Sequence, residues 1–348
     1  MKKAIAIITM IMLVAVMAGC NQEAGPKPGE LDGKVYMVTD TGGINDKSFN
    51  QSAWEGLSTL KDKYTNYEFD YILSNSETDY TTNLRLAVDK GSTLTWAVGF
   101  KLADQMSEVA EALPDQKFGI VDVHWLDHPN LVQVTFAEHE GSFLVGLVAG
   151  MTTKSNKIGF VGGETSALIK KFEYGFRAGV KVANPDAEIT SSYTETFGEP
   201  DKGKALADTM FEQGVDVIYH ASGGCGVGVF EAAKERGTGP EGYWTIGVDR
   251  DQYAEAPDNM LTSMMKNVGT AMAKVTESFV KDGEFKGGET VELNLADGGV
   301  DIAPTSKDTI PEENREAILA KVEEYKQKII NKEITVPKSE EEFTNWSE

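Results

Sequence analysis

The sequence predicts an α/β protein built as two similar lobes, and three observations carry that expectation. Short apolar runs alternate with amphipathic stretches of helical spacing from Gly33 onward, and the alternation restarts near Lys157. A Gly-rich or acidic turn follows most strand candidates: Asp40-Thr41-Gly42-Gly43, Gly162-Gly163-Glu164, Ser222-Gly223-Gly224 and Asp249. Such alternation builds βαβ units around a mostly parallel sheet. The 348 residues accommodate two domains, at roughly 100–200 residues each. With 41% hydrophobic and 25% charged residues, the composition is that of a globular chain, which excludes a disordered or fibrous one.

In the first half, Lys34–Thr39 reads as a strand, and Ser52–Tyr64 as a helix with Trp54, Leu57 and Leu60 on one side. Tyr67–Leu73, Leu94–Phe100, Lys117–Val121 and Leu131–Thr135 are further strands, with helices at Tyr80–Lys90 and Leu102–Leu113. The apolar segment Glu138–Met151 is expected as a helix near a crossover between the halves. Beyond it, strands at Lys157–Val161, Ala187–Tyr193, Asp216–His220 and Tyr243–Val248 interleave with helices at Ile169–Val182, Lys202–Gln213 and Gly226–Glu235. Met260–Met265 is strand-like and Thr270–Val280 helical. Val291–Leu295 and Gly299–Ile302 are expected to pair antiparallel around Asp297-Gly298-Gly299, and a last helix, Pro311–Asn331, precedes an acidic tail. The expected division is a first lobe of 33–138 and 268–303 and a second of 139–267 and 304–348. In open parallel sheets, ligands bind beyond the carboxyl ends of the strands. Two lobes with facing strand ends make a clamshell that closes by a hinge motion.

The N-terminus reads as an address. Lys2 and Lys3 precede the uncharged apolar run Ala4–Ala18, which is shorter than the ~20 residues a membrane-spanning helix needs. Met17-Ala18-Gly19-Cys20 resembles a bacterial lipobox, with Met17 where Leu is usual. This predicts a signal peptide over 1–19, acylation of Cys20, and a flexible tether over 20–32 containing Gly25-Pro26-Lys27-Pro28-Gly29. The chain is then expected on the extracytoplasmic face of the cell membrane, held by its lipid.

Lys and Arg number 33 against 55 Asp and Glu, a formal charge of −22. Such a surface repels phosphate backbones, which argues against nucleic acid as a partner. The run Gly223-Gly224-Cys225-Gly226-Val227-Gly228 fails the dinucleotide spacing, and no phosphate-binding loop, His-Glu-x-x-His or Gly-x-Ser-x-Gly occurs. Asp122, His124 and His128 are the nearest approach to a metal set, without a partner motif. Cys225 lacks a neighbouring base in sequence and is expected as a buried thiol beside the cleft. No catalytic residue and no cofactor or metal are therefore expected. The densest polar segment is Asp40–Gln51, between the first strand and the first helix. Helix capping is the expected main role of Asp46 and Ser48 there, and ligand contact that of Asp40 and Phe49.

That segment, Val38-Thr39-Asp40-Thr41-Gly42-Gly43-Ile44-Asn45-Asp46-Lys47-Ser48-Phe49-Asn50-Gln51, resembles the signature of the basic membrane protein (BMP) family of PnrA-like lipoproteins. Val98-Gly99-Phe100, Glu138–Leu144, Lys171–Gly179, Ile246–Asp249 and Leu261–Lys266 extend the resemblance in order along the chain. It implies a type I periplasmic-binding-protein clamshell serving an ABC permease as its substrate-binding component, and a purine nucleoside (inosine, guanosine or adenosine) as ligand. The implied ligand contacts are Asp40, Asn45, Asp46, Phe49, Asn50, Gly99, Phe172, Gly224, Asp249 and Lys266. Phe49 and Phe172 would sandwich the base, Asp40 would accept from its edge, and Asp249 and Lys266 would hold the ribose beside Gly224. Cys225 departs from the family, which commonly has Thr or Ser there. A monomer is expected. Riboflavin or a sugar in the same receptor is the nearer alternative. The faint likeness of Asp40–Asp46 to a nucleoside-hydrolase calcium motif is the remote one, because Gly42 and Asn45 stand where acids would be wanted.

Overall fold

The computed structural model describes residues 32–347; the signal segment 1–19, Cys20 and the tether up to residue 31 lie outside them. The chain runs through β1 (Gly33–Thr39), α1 (Phe49–Ser58), β2 (Tyr67–Ile72), α2 (Tyr80–Asp89), β3 (Leu94–Val98), α3 (Ala103–Ala112), β4 (Lys117–Val121) and β5 (Leu131–Phe136). A second run follows: α4 (Glu138–Thr152), β6 (Lys157–Gly162), α5 (Ala167–Ala183), β7 (Glu188–Tyr193), α6 (Pro200–Glu212), β8 (Val217–Ala221), α7 (Cys225–Arg236), β9 (Trp244–Asp249) and β10 (Met260–Lys266). The chain then returns through α8 (Val268–Asp282) and β11 (Thr290–Leu293), and ends with β12 (Val300–Ile302), α9 (Ser306–Thr309), α10 (Glu312–Ile330) and α11 (Glu340–Thr344).

The strands form two six-stranded sheets of matching order, β2-β1-β3-β4-β5-β11 and β7-β6-β8-β9-β10-β12. All neighbours are parallel except β10 and β12. The central strands are buried along nearly their whole length (Leu94–Val98 and Val217–Ala221 entirely), as expected for sheets covered by helices on both faces. In each sheet the order reverses beside β1 or β6, which sets a topological switch point at the carboxyl ends of the strands.

One expectation fails. The strands flanking Asp297-Gly298-Gly299 do not pair with each other: β11 joins β5 in parallel and β12 joins β10 antiparallel, in different sheets. The turn is a crossing between lobes, so residues 300–302, expected in the first lobe, lie on the second sheet. The chain also crosses at Ala137 and Asn267, and hydrogen bonds tie the three crossings together. Ala137 N–H donates to the Leu293 carbonyl (2.9 Å), Asn267 N–H to Gly299 (2.9 Å), and Asn267 Nδ2 to Gly298 (2.7 Å).

Each lobe anchors one cleft-facing helix by close backbone contact. α1 crosses α8 so tightly that a Cβ on Gly56 would lie 2.2 Å from Gly269. α5 crosses α4 with the Phe176 carbonyl 2.3 Å from where a Cβ on Gly146 would stand. Any side chain there would force the helices apart.

Candidate functional site

The carboxyl ends of both sheets face one cleft, and much of its wall is drawn from strand ends and the residues just after them. Asp40 follows β1, Gly99 and Phe100 follow β3, and Asp122 follows β4 on one side. Ala221 ends β8, Gly223 follows it, and Asp249 and Lys266 end β9 and β10 on the other. Phe49 and Asn50 enter from the start of α1; Leu168, Ile169 and Phe172 enter from the first turns of α5. Ser166 caps α5, accepting from Ile169 N–H at 3.2 Å, and so fixes the turn that presents Phe172. The lobes meet closely around this cleft, which keeps a free cavity of about 50 Å³.

Asp46 caps α1, accepting from the N–H groups of Ser48 (2.9 Å), Asn50 (2.8 Å) and Gln51 (3.1 Å). Ser48, expected to share that capping, instead donates its hydroxyl across the cleft to Asp249. Asp40 accepts from Gly42 N–H and from Asn50 Nδ2, both at 2.8 Å. Gly99 adopts φ +113°, and a Cβ there would lie 3.3 Å from Asp40 Oδ2 and 3.5 Å from the Phe49 ring. Glycine at this position therefore satisfies the backbone conformation and leaves room between the carboxylate and the aromatic face. Asp122 and Asp249 both take left-handed backbone angles, φ 68° and 67°, a region that Asp enters more readily than most side chains.

The cleft floor holds a buried ionic cluster. Lys266 Nζ lies 2.7 Å from Asp122 Oδ1 and 3.1 Å from Glu138 Oε1, and Lys171 lies 3.1 Å from Glu138 Oε2. Burial acts to lower the Lys266 pKa, but Asp122, Glu138 and Asp249 outweigh it and hold the ammonium above its usual range. Burial likewise acts to raise Glu138, and Lys266 and Lys171 overcome it, so its carboxyl stays below the ordinary value. The same ammonium lies 5.1 Å from the Phe49 ring centroid and 5.6 Å from that of Phe172, so both rings approach one charge. Away from the ion pairs burial dominates: Asp40 is pushed up to about 6 and Asp249 to about 7. His220, buried behind the cleft against Gln252 at 3.0 Å, is lowered to about 4 by burial and stays neutral.

Eight of the ten expected contacts meet in this cleft: Asp40, Asp46, Phe49, Asn50, Gly99, Phe172, Asp249 and Lys266. Asn45 does not; it is exposed in the turn before Asp46. Gly224 does not line the cleft either. Its neighbour Gly223 does, while Gly224 backs onto the Phe197 carbonyl and Asp46. Lys266 lines the wall, but its ammonium is shared between Asp122 and Glu138. Asp122, Phe100 and Phe197 were not singled out for the cleft. Asp122 obeys the same strand-end rule as Asp40, so that rule, applied to every strand, would have found it. The metal set considered for Asp122 is dispersed: His128 meets Ser107 (2.7 Å) and His124 stacks edge-on against Trp125. Cys225 is buried, with Glu199 N–H 3.4 Å from its sulfur.

A family model described as ABC transporter substrate-binding protein PnrA-like matches residues 34–340. The chain belongs to that family. Among relatives of this PnrA-like chain, the CD4+ T-cell-stimulating antigen of Listeria innocua is 42% identical, covering 97% of this chain and 99% of the relative. The ABC transporter nucleoside-binding protein BmpA of Lactococcus lactis is 39% identical, over 97% and 99%. Among solved structures, an ABC transporter solute-binding protein from Aeropyrum pernix superposes with a TM-score of 0.78 at 26% identity, covering 90% of this chain and 95% of that one. The PnrA-like chain thus has the type I periplasmic-binding-protein fold and is a substrate-binding protein of an ABC transporter. No helix among its described residues is long and apolar enough to cross a membrane.

Proposed function

We propose that this protein captures a purine nucleoside between its lobes and delivers it to an ABC permease, from a lipid anchor at Cys20 on the extracytoplasmic face of the membrane. The observation that carries the ligand assignment is one cleft lined by an aromatic ring from each lobe, Phe49 and Phe172, with buried carboxylates Asp40 and Asp249 at its strand ends. A flat base suits the rings. Hydroxyl and N–H donors suit the carboxylates, which are costly to leave unmatched in a closed site. The nucleoside-binding name of the Lactococcus relative agrees. Four aspartates line the cleft, whereas a flavin ring, flanked by carbonyl acceptors, would call for a less acidic wall. The receptor acts as a monomer, and lobe closure reports its loaded state to the permease.

The test is thermal unfolding of protein refolded to remove any co-purified ligand. The panel holds purine and pyrimidine nucleosides, free bases, riboflavin and sugars. A ligand at 100 times its Kd adds about 2.7 kcal/mol, a rise of several degrees in Tm. Purine nucleosides should shift the transition and free bases should not. Silence for nucleosides with a shift for riboflavin would overturn the assignment of ligand.

A further inference from the structure

Gln252, in the turn after β9, reaches across the lobe boundary from a socket that fixes the orientation of its amide. The residue is 1% exposed. Val248 N–H donates to its Oε1 at 2.7 Å, and a backbone N–H can only donate, so the amide cannot be flipped. His220 Nε2 lies 3.0 Å from the same oxygen and therefore carries the ring hydrogen, while Nδ1 accepts from the Ser222 hydroxyl at 3.3 Å. Burial, which lowers His220 to about 4, keeps the ring neutral in this tautomer. The backbone N–H of Gln252 donates to Ser263 Oγ at 3.1 Å. Two glycines leave room for the arrangement. A Cβ on Gly247 would lie 2.5 Å from Gln252 Oε1, and one on Gly226 would lie 1.9 Å from the His220 ring.

With its oxygen turned inward, the amide presents Nε2–H to the first lobe, where it donates to the Lys47 carbonyl at 2.9 Å. Lys47 has φ 59° and leads through Ser48 into Phe49 at the start of α1. That carbonyl thus belongs to the segment presenting the first lobe's aromatic ring to the cleft. Neither Lys47 nor Gln252 is among the described residues that line the cleft, so a ligand does not compete for this bond. The neighbouring Ser48–Asp249 pair differs, because its carboxylate does line the cleft. We infer that Gln252, oriented by Val248 and His220, is a positioning residue for capture: it clasps the Phe49 segment to the second lobe and slows release of a ligand it does not touch. When the lobes part, the inward bonds of the amide stay made and only the outward one is freed. The donor is then already aimed for the next closure, with little rotamer freedom left to lose. The inference stands on the two-lobed receptor and not on the identity of its ligand.

Stopped-flow release kinetics and small-angle X-ray scattering of ligand-stripped protein test this, with inosine, guanosine and adenosine as probes. Gln252→Glu keeps the oxygen that faces Val248 and His220 and sets an acceptor against Lys47 in place of the donor. Gln252→Met removes the donor without adding a charge, and it decides the matter if the first variant does not fold. Bound nucleoside should leave either variant about tenfold faster than the native chain, with the association rate unchanged. Native release rates in a folded variant overturn the inference, even where its unliganded Tm has fallen, because the socket is then a brace of the second lobe alone. If none of the three probes binds the native chain, the nucleoside reading fails and scattering by the empty protein decides the clasp. A larger radius of gyration in the variants supports it, and equal radii overturn it.

Discussion

Replacing Phe49 with alanine separates ligand contact from structural support more cleanly than any other change in the cleft. Phe49 is half-buried, opens α1 and lines the cavity beside Gly99. Phe172 is 3% exposed within the main core, so its removal costs about 3–5 kcal/mol of folding stability and confounds any binding result. Stacking of a base on an aromatic ring is worth about 1–3 kcal/mol. Phe49→Ala should therefore weaken purine nucleoside binding about 5- to 150-fold. Loss of the cation–π contact between the ring and the Lys266 ammonium, 5.1 Å from it, acts on folding stability and is read in the unliganded melting curves. The assay is calorimetric titration of stripped native and variant protein, with unliganded melting curves as the control for folding. An unchanged Kd in a variant that still melts cooperatively would remove Phe49 from the binding surface and refute the sandwich.

Other expectations follow from the same geometry. Burial raises Asp40 to about 6 and Asp249 to about 7, above unfolded values near 3.9. Their contribution to stability is complete below about pH 4 and lost as pH rises through about 6 to 7. The ligand-free protein should thus melt higher at about pH 5.5 than at about pH 8, and Asp249→Asn should flatten the difference in a pH series of melting curves. Lys266→Met leaves Asp122 and Glu138 buried without their shared cation and should cost about 3–5 kcal/mol in urea unfolding; a loss under about 1 kcal/mol would contradict the cluster. Gly146→Ala drives a methyl into the Phe176 carbonyl and should lower stability by about 1–3 kcal/mol, read as a fall of several degrees in Tm.

The sheets and the strand-end part of the cleft were legible because both follow local rules, while Gly99, Phe172 and Lys266 came only with the family resemblance. Apolar runs between amphipathic helices mark parallel strands, and the turn after such a strand marks a ligand position, which identifies Asp40 and Asp249 without any long-range knowledge. Where the pairing was long-range, the sequence misled. Two short β-prone runs around Asp297-Gly298-Gly299 carry a hairpin signal, yet each run has a better partner elsewhere, β11 with β5 and β12 with β10. Nothing in four- and three-residue strands distinguishes those outcomes. Capping showed the same limit. Asp46 and Ser48 are both competent caps, and only the position of Asp249 on the other lobe decides that Ser48 turns away. Phe197 lay beyond reach because it enters the cleft through its edge-on contact with Phe100 on the opposite lobe, ring centroids 6.3 Å apart.

The contacts that bridge the two lobes suggest how ligand and closure are coupled. Ser48 donates to Asp249, Gln252 Nε2 donates to the Lys47 carbonyl (2.9 Å), Arg250 pairs with Glu55 (3.2 Å) and Lys101 with Glu164. These are polar pairs whose partners would be hydrated in an open form, so each adds about 0–1.5 kcal/mol net. Phe100 against Phe197 is the aromatic pair that spans the gap among the described residues. Bringing Asp40, Asp46, Asp122 and Asp249 together in one cleft opposes these gains, since burial, joined by the neighbouring carboxylates, raises Asp40 and Asp249. Closure of the empty cleft therefore sets these two terms against each other. A ligand that stacks on both rings and donates hydrogen bonds to the carboxylates acts on the two terms that hold the balance, and it binds the closed form selectively. Its differential affinity sets how far the population shifts. The polar pairs across the gap contribute little to that energy and hold the lobes in the register seen here.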